Sequence, residues 1–313
     1  MAVNNYNNFF EDRTVLVTGG AGFIGSHLTQ HLLALGACVH ILDDLSSGSK
    51  SNLDGFEVNF IEGSVLDAHA LQQVIRDCSL VFHEAAFVSV PESFEKADRC
   101  FEVNIKGTSN VLKAAKKEGC DRVVFASSAA CYGSNPNLPS RETDTISAES
   151  PYAQSKVMGE QLMRDSSIDT VSLRYFNVFG QRQNPNSAYA AVISAFADAV
   201  AHNRKPTIFG DGTQSRDFTH IDNIVHANLL SASHGSSLNG AAFNVGTGTM
   251  LSLLEVLQAM TADTIADAQF EPTRQGDVQQ SCANIEKIQA VLGYSVDEKT
   301  SDSLRAFVNP TQR

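Results

Sequence analysis

The stretch Thr14-Val-Leu-Val-Thr-Gly-Gly-Ala-Gly-Phe-Ile-Gly25 decides the reading of the chain. Residues 13–18 are a β-branched, apolar run that reads as a strand. Residues 23–35 carry a helical pattern that stops at Gly36, the residue type that ends helices in a left-handed turn. Glycines at 19, 22 and 25 lie directly between the two. Gly19 suits a tight turn, Gly22 lets a phosphate approach the backbone, and Gly25 permits close packing of helix on strand. Phosphates placed there meet the free N–H groups and the positive dipole end of the helix. A glycine pattern alone is weak, but an acidic residue at the end of the following strand strengthens it. That residue is Asp43, suited to accept from both hydroxyls of a ribose. No basic residue follows before Lys50, and a carboxylate repels a 2′-phosphate, so the pattern favours NAD over NADP. The competing reading makes Asp43 a turn former ahead of Asp44-Leu45-Ser46-Ser47-Gly48.

Outward from this stretch, short strand-like runs alternate with helical patterns. Residues 38–42, 58–62, 80–83, 122–126 and 170–174 read as strands, and residues 66–76, 96–117 and 152–164 as helices. That rhythm predicts an α/β fold, a doubly wound parallel Rossmann sheet with right-handed crossovers and ligands at the carboxyl ends of the strands. Beyond Asn177 the rhythm loosens. Residues 180–187 read as a loop, 188–202 and 221–232 as helices, 210–216 as a turn-rich segment and 242–245 as a strand rejoining the sheet. A dinucleotide domain is therefore expected over 1–176, with the chain returning around 213–248, and a smaller C-terminal α/β substrate lobe mainly over 177–313.

Tyr152 and Lys156 stand four apart at the start of an expected helix, which puts both on one face. A nearby ammonium and a bound nicotinamide cation each favour the phenolate, which can then take a proton from a hydroxyl. Such a pair is more often surface decoration when met alone. Here it follows Ser127 and Ser128 at the end of a strand, where a substrate hydroxyl would have to bridge to the tyrosine.

Together, Thr18–Gly25, Asp43, His83-Glu-Ala-Ala86, Asn104, Ser127-Ser128, Tyr152-x-x-x-Lys156 and Leu173-Arg-Tyr-Phe-Asn177 resemble the extended short-chain dehydrogenase/reductase family, over nearly the whole chain. Within that family the chain is similar to the UDP-sugar 4-epimerases. The resemblance implies Ser128, Tyr152 and Lys156 as the catalytic set. It implies Gly19, Gly22, Phe23, Ile24, Gly25, Asp43, Ser47, Gly48, Val65, Ala85, Ala86, Asn104, Ser127 and Tyr175 around an NAD cofactor. It places Ser89, Asn177, Tyr189, Arg216, Arg274, Asp277 and Ser281 around a UDP-sugar, the two arginines being suited to a diphosphate by their planar donor forks. A surface ion pair, for instance Arg216 with Asp217 or Asp211, is the plainer alternative for either arginine. Where relatives carry an Asp against the adenine, this chain has Ser64. A homodimer through a four-helix bundle built from residues 96–117 and 152–164 is also implied.

The implied reaction is inversion at C4 through a 4-keto sugar. Ser281, four residues after Asp277, stands where a bulky aromatic in similar enzymes excludes an acetylated sugar. The small residue, with Ser89 placed for an amide, points to UDP-N-acetylglucosamine and UDP-N-acetylgalactosamine, with UDP-glucose and UDP-galactose as the alternative. Sugar dehydratases and decarboxylases of the family need an acid after the serine, where this chain has Ala129 and Ala130. A non-enzymatic dinucleotide sensor would be expected to lose the Tyr or the Lys.

Composition sets outer bounds. Of 313 residues, 42% are hydrophobic and 19% charged, an ordinary globular balance. The net charge of -12 disfavours a nucleic-acid partner. No apolar run is long enough to span a bilayer, and the first twelve residues read as an arm on the domain surface, not as a secretory signal. The six cysteines form no Cys-x-x-Cys pair and the nine histidines no helical ligand pair, so buried thiols in a cytoplasmic protein without a catalytic metal are expected.

Overall fold

Strand β1 (Thr14–Thr18) is apolar on both faces because both faces are covered. Val15 and Val17 enter one core layer and Leu16 the other. β1 lies inside a seven-stranded sheet with β2 (Cys38–Asp43), β3 (Asn59–Glu62), β4 (Leu80–His83), β5 (Arg122–Ser128), β6 (Asp169–Tyr175) and, last in the chain, Ala241–Val245. The order across the sheet is Ala241–Val245, β6, β5, β4, β1, β2, β3, and every pairing is parallel. This computed structural model describes residues 6, 8–183, 192–202, 204–261, 268–273, 278–298, 300 and 302–304. Strand order reverses between β1 and β4, so the loops leaving these two strands bound the cleft where ligands sit in such sheets.

On one face of the sheet lie α1 (Phe23–Ala34) and, from much later in the chain, a helix over Ile221–Ser233. On the other lie α2 (Ala68–Val74), then α3 (Val90–Glu95) and α4 (Ala97–Phe101), then α5 (Thr108–Glu118) and α6 (Pro151–Arg164). The spacing predicts one helix over 96–117. Instead Lys96 is a non-helical junction, and a π-helical segment, Glu102–Gly107, joins α4 to α5. The widened turn carries Asn104, whose side chain is turned into the protein.

The smaller lobe uses very short strands, for which sequence gives little signal. β7 (Asn177–Phe179) pairs with Phe218–His220, and Thr207–Phe209 pairs with Gln269–Glu271. Ser215–Arg216 runs between Leu251–Ser252 and Gln280–Ser281. The expected helix over 188–202 is seen as Val192–Ala201, residues 184–191 lying outside the described set. With Leu253–Thr261 it closes a separate core around Phe179, Phe196, Phe218 and Leu257. The helix Glu286–Leu292 packs beside the strand Ala241–Val245.

Two expectations are corrected. Of the N-terminal residues expected to form an arm on the surface, Phe10 is fully buried in the main core, and the Tyr6 hydroxyl meets His226 Nδ1 at 3.1 Å. Aromatic rings gain too much from burial to lie on the surface when a groove is at hand. Cys38, at the open start of β2, is exposed, whereas the other five thiols are buried. No helix among the described residues is long and apolar enough to cross a membrane.

Candidate active site

The glycine turn is built for close approach. Gly19 has φ +71, a backbone conformation that L side chains rarely adopt, and a Cβ on it would stand 2.7 Å from the Ala85 nitrogen at the end of β4. A Cβ on Gly25 would overlap the Gly19 carbonyl. Over Gly22 the space is open except for that same carbonyl. Gly22 also caps α1 without any side-chain hydrogen bond, and the first turn carries no acidic residue. The amides at Phe23 and Ile24 therefore sit at a helix end suited to a pyrophosphate.

Asp43 ends β2 beside this turn. It is buried, and its carboxylate accepts the N–H of Ala21 at 2.9 Å and of Leu45 at 2.8 Å. Burial raises its pKa while these backbone bonds oppose the rise. The loop with Ser47 and Gly48 is fastened to the same place, since Asn52 Nδ2 and the Ser49 N–H both donate to the Ala21 carbonyl. Val65 packs against Gly107 in the π-helical segment. Ser64 caps a local turn by accepting from the Leu66 N–H. A glycine cradle, an uncapped helix end and a carboxylate one strand over fit a dinucleotide's pyrophosphate and ribose.

The catalytic candidates converge at the carboxyl end of β5. Ser150 caps α6, accepting from the Ala153 N–H, and Pro151 opens it. The Tyr152 N–H donates to Ser93 of α3. Lys156 is buried, donates to the Ala126 carbonyl at 2.7 Å, and lies 5.8 Å from the centroid of the Tyr152 ring. Ser128 closes β5, accepts from the Ala130 N–H and lies near enough to the Tyr152 phenol to act on its pKa. The pair Tyr152 and Lys156 thus shares one face of α6 at the carboxyl end of β5.

Its electrostatics differ from the sequence reading. Burial pushes the Tyr152 phenol up to about 12, against the lowering by Ser128. Burial likewise brings Lys156 down to about 8. In the protein by itself desolvation outweighs the lowering by Ser128, and Cys131, Cys100 and Glu84 add to the rise.

Other positions divide. Asn104 pins the loop after β4, accepting from the Phe87 N–H at 2.7 Å and donating to its carbonyl at 3.1 Å and to Ser155 at 2.8 Å. Ala85 and Ala86 lie in that loop. The Ser127 hydroxyl donates to buried Glu160 at 2.6 Å. Tyr175 donates to Glu84 at 2.9 Å and accepts from Asn228 at 2.8 Å.

Arg216 and Ser281 face each other as register partners on adjacent strands. Arg216 is buried and donates to the Gln279 carbonyl, while Asp217 accepts from the N–H groups of Thr247, Gly248 and Ala283. Asn177 opens β7 and is exposed. Ser89 caps α3, accepting from the Glu92 N–H, which leaves its own O–H to donate. Tyr189, Arg274 and Asp277 lie outside the described residues.

Sequence reasoning missed two groups. Glu84 holds Tyr175 and acts on Lys156. Glu160 makes a two-armed ion pair with Arg174, which also donates to Tyr132, itself bonded to Asn244. The spacing of Glu160, four residues beyond Lys156 on the same helix face, was the available signal.

A family model described as "NAD dependent epimerase/dehydratase family" matches residues 15–246. The UDP-glucose 4-epimerase of Mycolicibacterium smegmatis is 35% identical, over 95% of this chain and 99% of its own. Among solved structures, the UDP-N-acetylglucosamine 4-epimerase from Methanobrevibacter ruminantium, in complex with UDP-N-acetylmuramic acid, superposes with a TM-score of 0.89. It is 36% identical and is matched over 97% of this chain and 100% of its own. The UDP-glucose 4-epimerase of Thermus thermophilus in complex with NAD gives a TM-score of 0.86 at 33% identity, over 95% and 98%.

Proposed function

Because the chain belongs to the NAD dependent epimerase/dehydratase family, we propose that it interconverts UDP-N-acetylglucosamine and UDP-N-acetylgalactosamine by inversion at C4. The enzyme is an NAD-dependent UDP-sugar 4-epimerase, an isomerase. The choice of sugar and the residue roles are the proposal.

Bound NAD supplies the acceptor, and then the donor, of the C4 hydride. Ser128 and Tyr152 bind the C4 hydroxyl, and Tyr152 takes its proton. Lys156 holds the cofactor's ribose and favours the phenolate. The flat 4-keto sugar then presents its other face while Arg216, Arg274 and Asp277 keep the UDP in place. Tyr152 gives the proton back as the hydride returns, so no net oxidation occurs. The observation that carries this reading is the meeting of Ser128, Tyr152 and Lys156 at the end of β5, beside the uncapped end of α1. Ala129 and Ala130 form the turn after Ser128 and offer no carboxyl for dehydration.

The sugar assignment rests on Ser281, a small side chain opposite Arg216, and on the free O–H of Ser89. UDP-glucose and UDP-galactose are the second reading, supported by relatives with that name. Incubation with each of the four UDP-sugars, followed by chromatography, separates the two. The proposal expects equilibration of the acetylated pair, and turnover of the plain pair alone would overturn it. A homodimer through the α4–α5 and α6 face is also proposed. It is supported by Met158 on α6, an apolar side chain left 48% exposed.

A further inference from the structure

Glu84 is the residue after β4, and its N–H donates to the Thr18 carbonyl at 3.1 Å, fixing it at the strand end. One carboxylate oxygen accepts from the Tyr175 hydroxyl at 2.9 Å. Asn228 donates to that hydroxyl in turn, so the tyrosine proton is directed at Glu84. The second oxygen has no hydrogen-bond partner among the described residues. Lys156 has three N–H bonds and one hydrogen-bond partner among the described residues, the Ala126 carbonyl.

The charged and titratable groups acting on Lys156 come from several elements. Glu84 follows β4, Cys131 lies in the turn after β5, Cys100 is on α4, and buried His83 ends β4. Burial raises both thiols, which keeps them neutral, and holds His83 neutral by lowering it to about 3. Tyr152, on the same helix, is an uncharged phenol in the protein alone. Glu84 is thus the one carboxylate that acts on the ammonium among these groups. His83 is the register partner of Phe125, so Glu84 leaves β4 alongside Ala126 of β5, the residue whose carbonyl holds Lys156, and the ammonium lies 5.1 Å from the Phe125 ring centroid. The two make no contact ion pair, so the lysine keeps N–H bonds to donate elsewhere.

We propose that Glu84 is a positioning residue, whose carboxylate, clamped by Tyr175, is the counter-charge that keeps the Lys156 ammonium protonated beside Tyr152. The inference rests on the Tyr152–Lys156 mechanism proposed above. A buried ammonium loses hydration and tends to shed its proton, and an opposite charge nearby restores the balance. Burial pushes Glu84 up to about 7, with Tyr175 and Lys156 holding it down, and brings Lys156 down to about 8, with Glu84 opposing that fall, so each charge favours the other.

The test uses the full chain labelled with ¹⁵N-lysine, with the Lys156 resonance assigned by its loss in Lys156→Met. In Glu84→Gln, which keeps the acceptor for Tyr175 and removes the charge, Lys156 should titrate about one pH unit lower. The alkaline limb of kcat against pH should move the same way, with the KM for the UDP-sugar little changed. Glu84→Leu should reproduce the shift and also release Tyr175. Superimposable Lys156 titrations in wild type and Glu84→Gln would overturn the proposal. If neither variant folds, the wild-type Lys156 resonance still decides. A second inflection from Glu84 ionisation is expected, and its absence overturns the proposal. Should the wild type turn over no UDP-sugar, the mechanism fails while the lysine titration still judges Glu84.

Discussion

At Tyr152 two demands oppose each other. The residue must be buried to exclude water from the reacting carbon, and burial alone pushes its phenol up to about 12. Ser128 acts in the other direction, and a bound nicotinamide cation would add to it. Tyr152→Phe removes the group that accepts the proton, so kcat should fall by about 10²–10⁴-fold while bound NAD is retained. Stopped assays on the variant, with nucleotide released by denaturation and counted, check both halves. Because Lys156 is brought down to about 8, its ammonium is present below that pH and lost above it. Activity should therefore decline on the alkaline side, in a pH profile of kcat, as the lysine loses its proton. Ser281 belongs to the same scale. Ser281→Tyr should abolish turnover of the acetylated sugars by steric clash and spare the plain pair, and an unchanged acetyl-sugar rate would contradict the gate. Tyr152 and Lys156 were legible in the sequence because one helix sets their spacing. Glu84 was not, since its meaning comes from Tyr175, 91 residues away.

Among the elements, the sheet strands were legible because both faces are buried, leaving apolar runs that sequence displays directly. β7 and the strand Ser215–Arg216 were not legible. Two or three residues carry no periodicity, and they become strands only by pairing across the small lobe. The π-helical segment was hidden too, for it carries Asn104, whose partners Phe87 and Ser155 are 17 and 51 residues away in the chain. Helix α6 is held to β6 by the buried Glu160–Arg174 pair, whose side chains are 2% and 5% exposed. Burial raises Glu160, yet the Arg174 bonds and charge, with Ser127, bring it below the ordinary carboxylate range. Its contribution to stability is thus present above the ordinary Glu range and lost as pH falls through the lowered value. Glu160→Ala leaves Arg174 buried without its partner and should cost about 3–5 kcal/mol in urea unfolding at neutral pH.

On the scale of the whole molecule, the chain leaves the large sheet after β6, builds the smaller lobe, and re-enters it at Ala241–Val245. Helix Ile221–Ser233 covers the sheet on that return, and Phe10 and Tyr6 fill the space beneath it. Phe10→Ala should accordingly cost about 3–5 kcal/mol by urea unfolding, a loss no surface arm would show. Beyond that re-entry the strand Gln280–Ser281 sets Ser281 beside Arg216 on the neighbouring strand. The central claim is that C4 is inverted by removing and restoring one hydrogen at that carbon. The most direct test is to incubate the enzyme with UDP-N-acetylglucosamine deuterated at C4, in ordinary water, and to read the product by proton NMR and mass spectrometry. The account predicts UDP-N-acetylgalactosamine that keeps its deuterium at C4, and loss of that deuterium to solvent, or no inversion at C4, would contradict it.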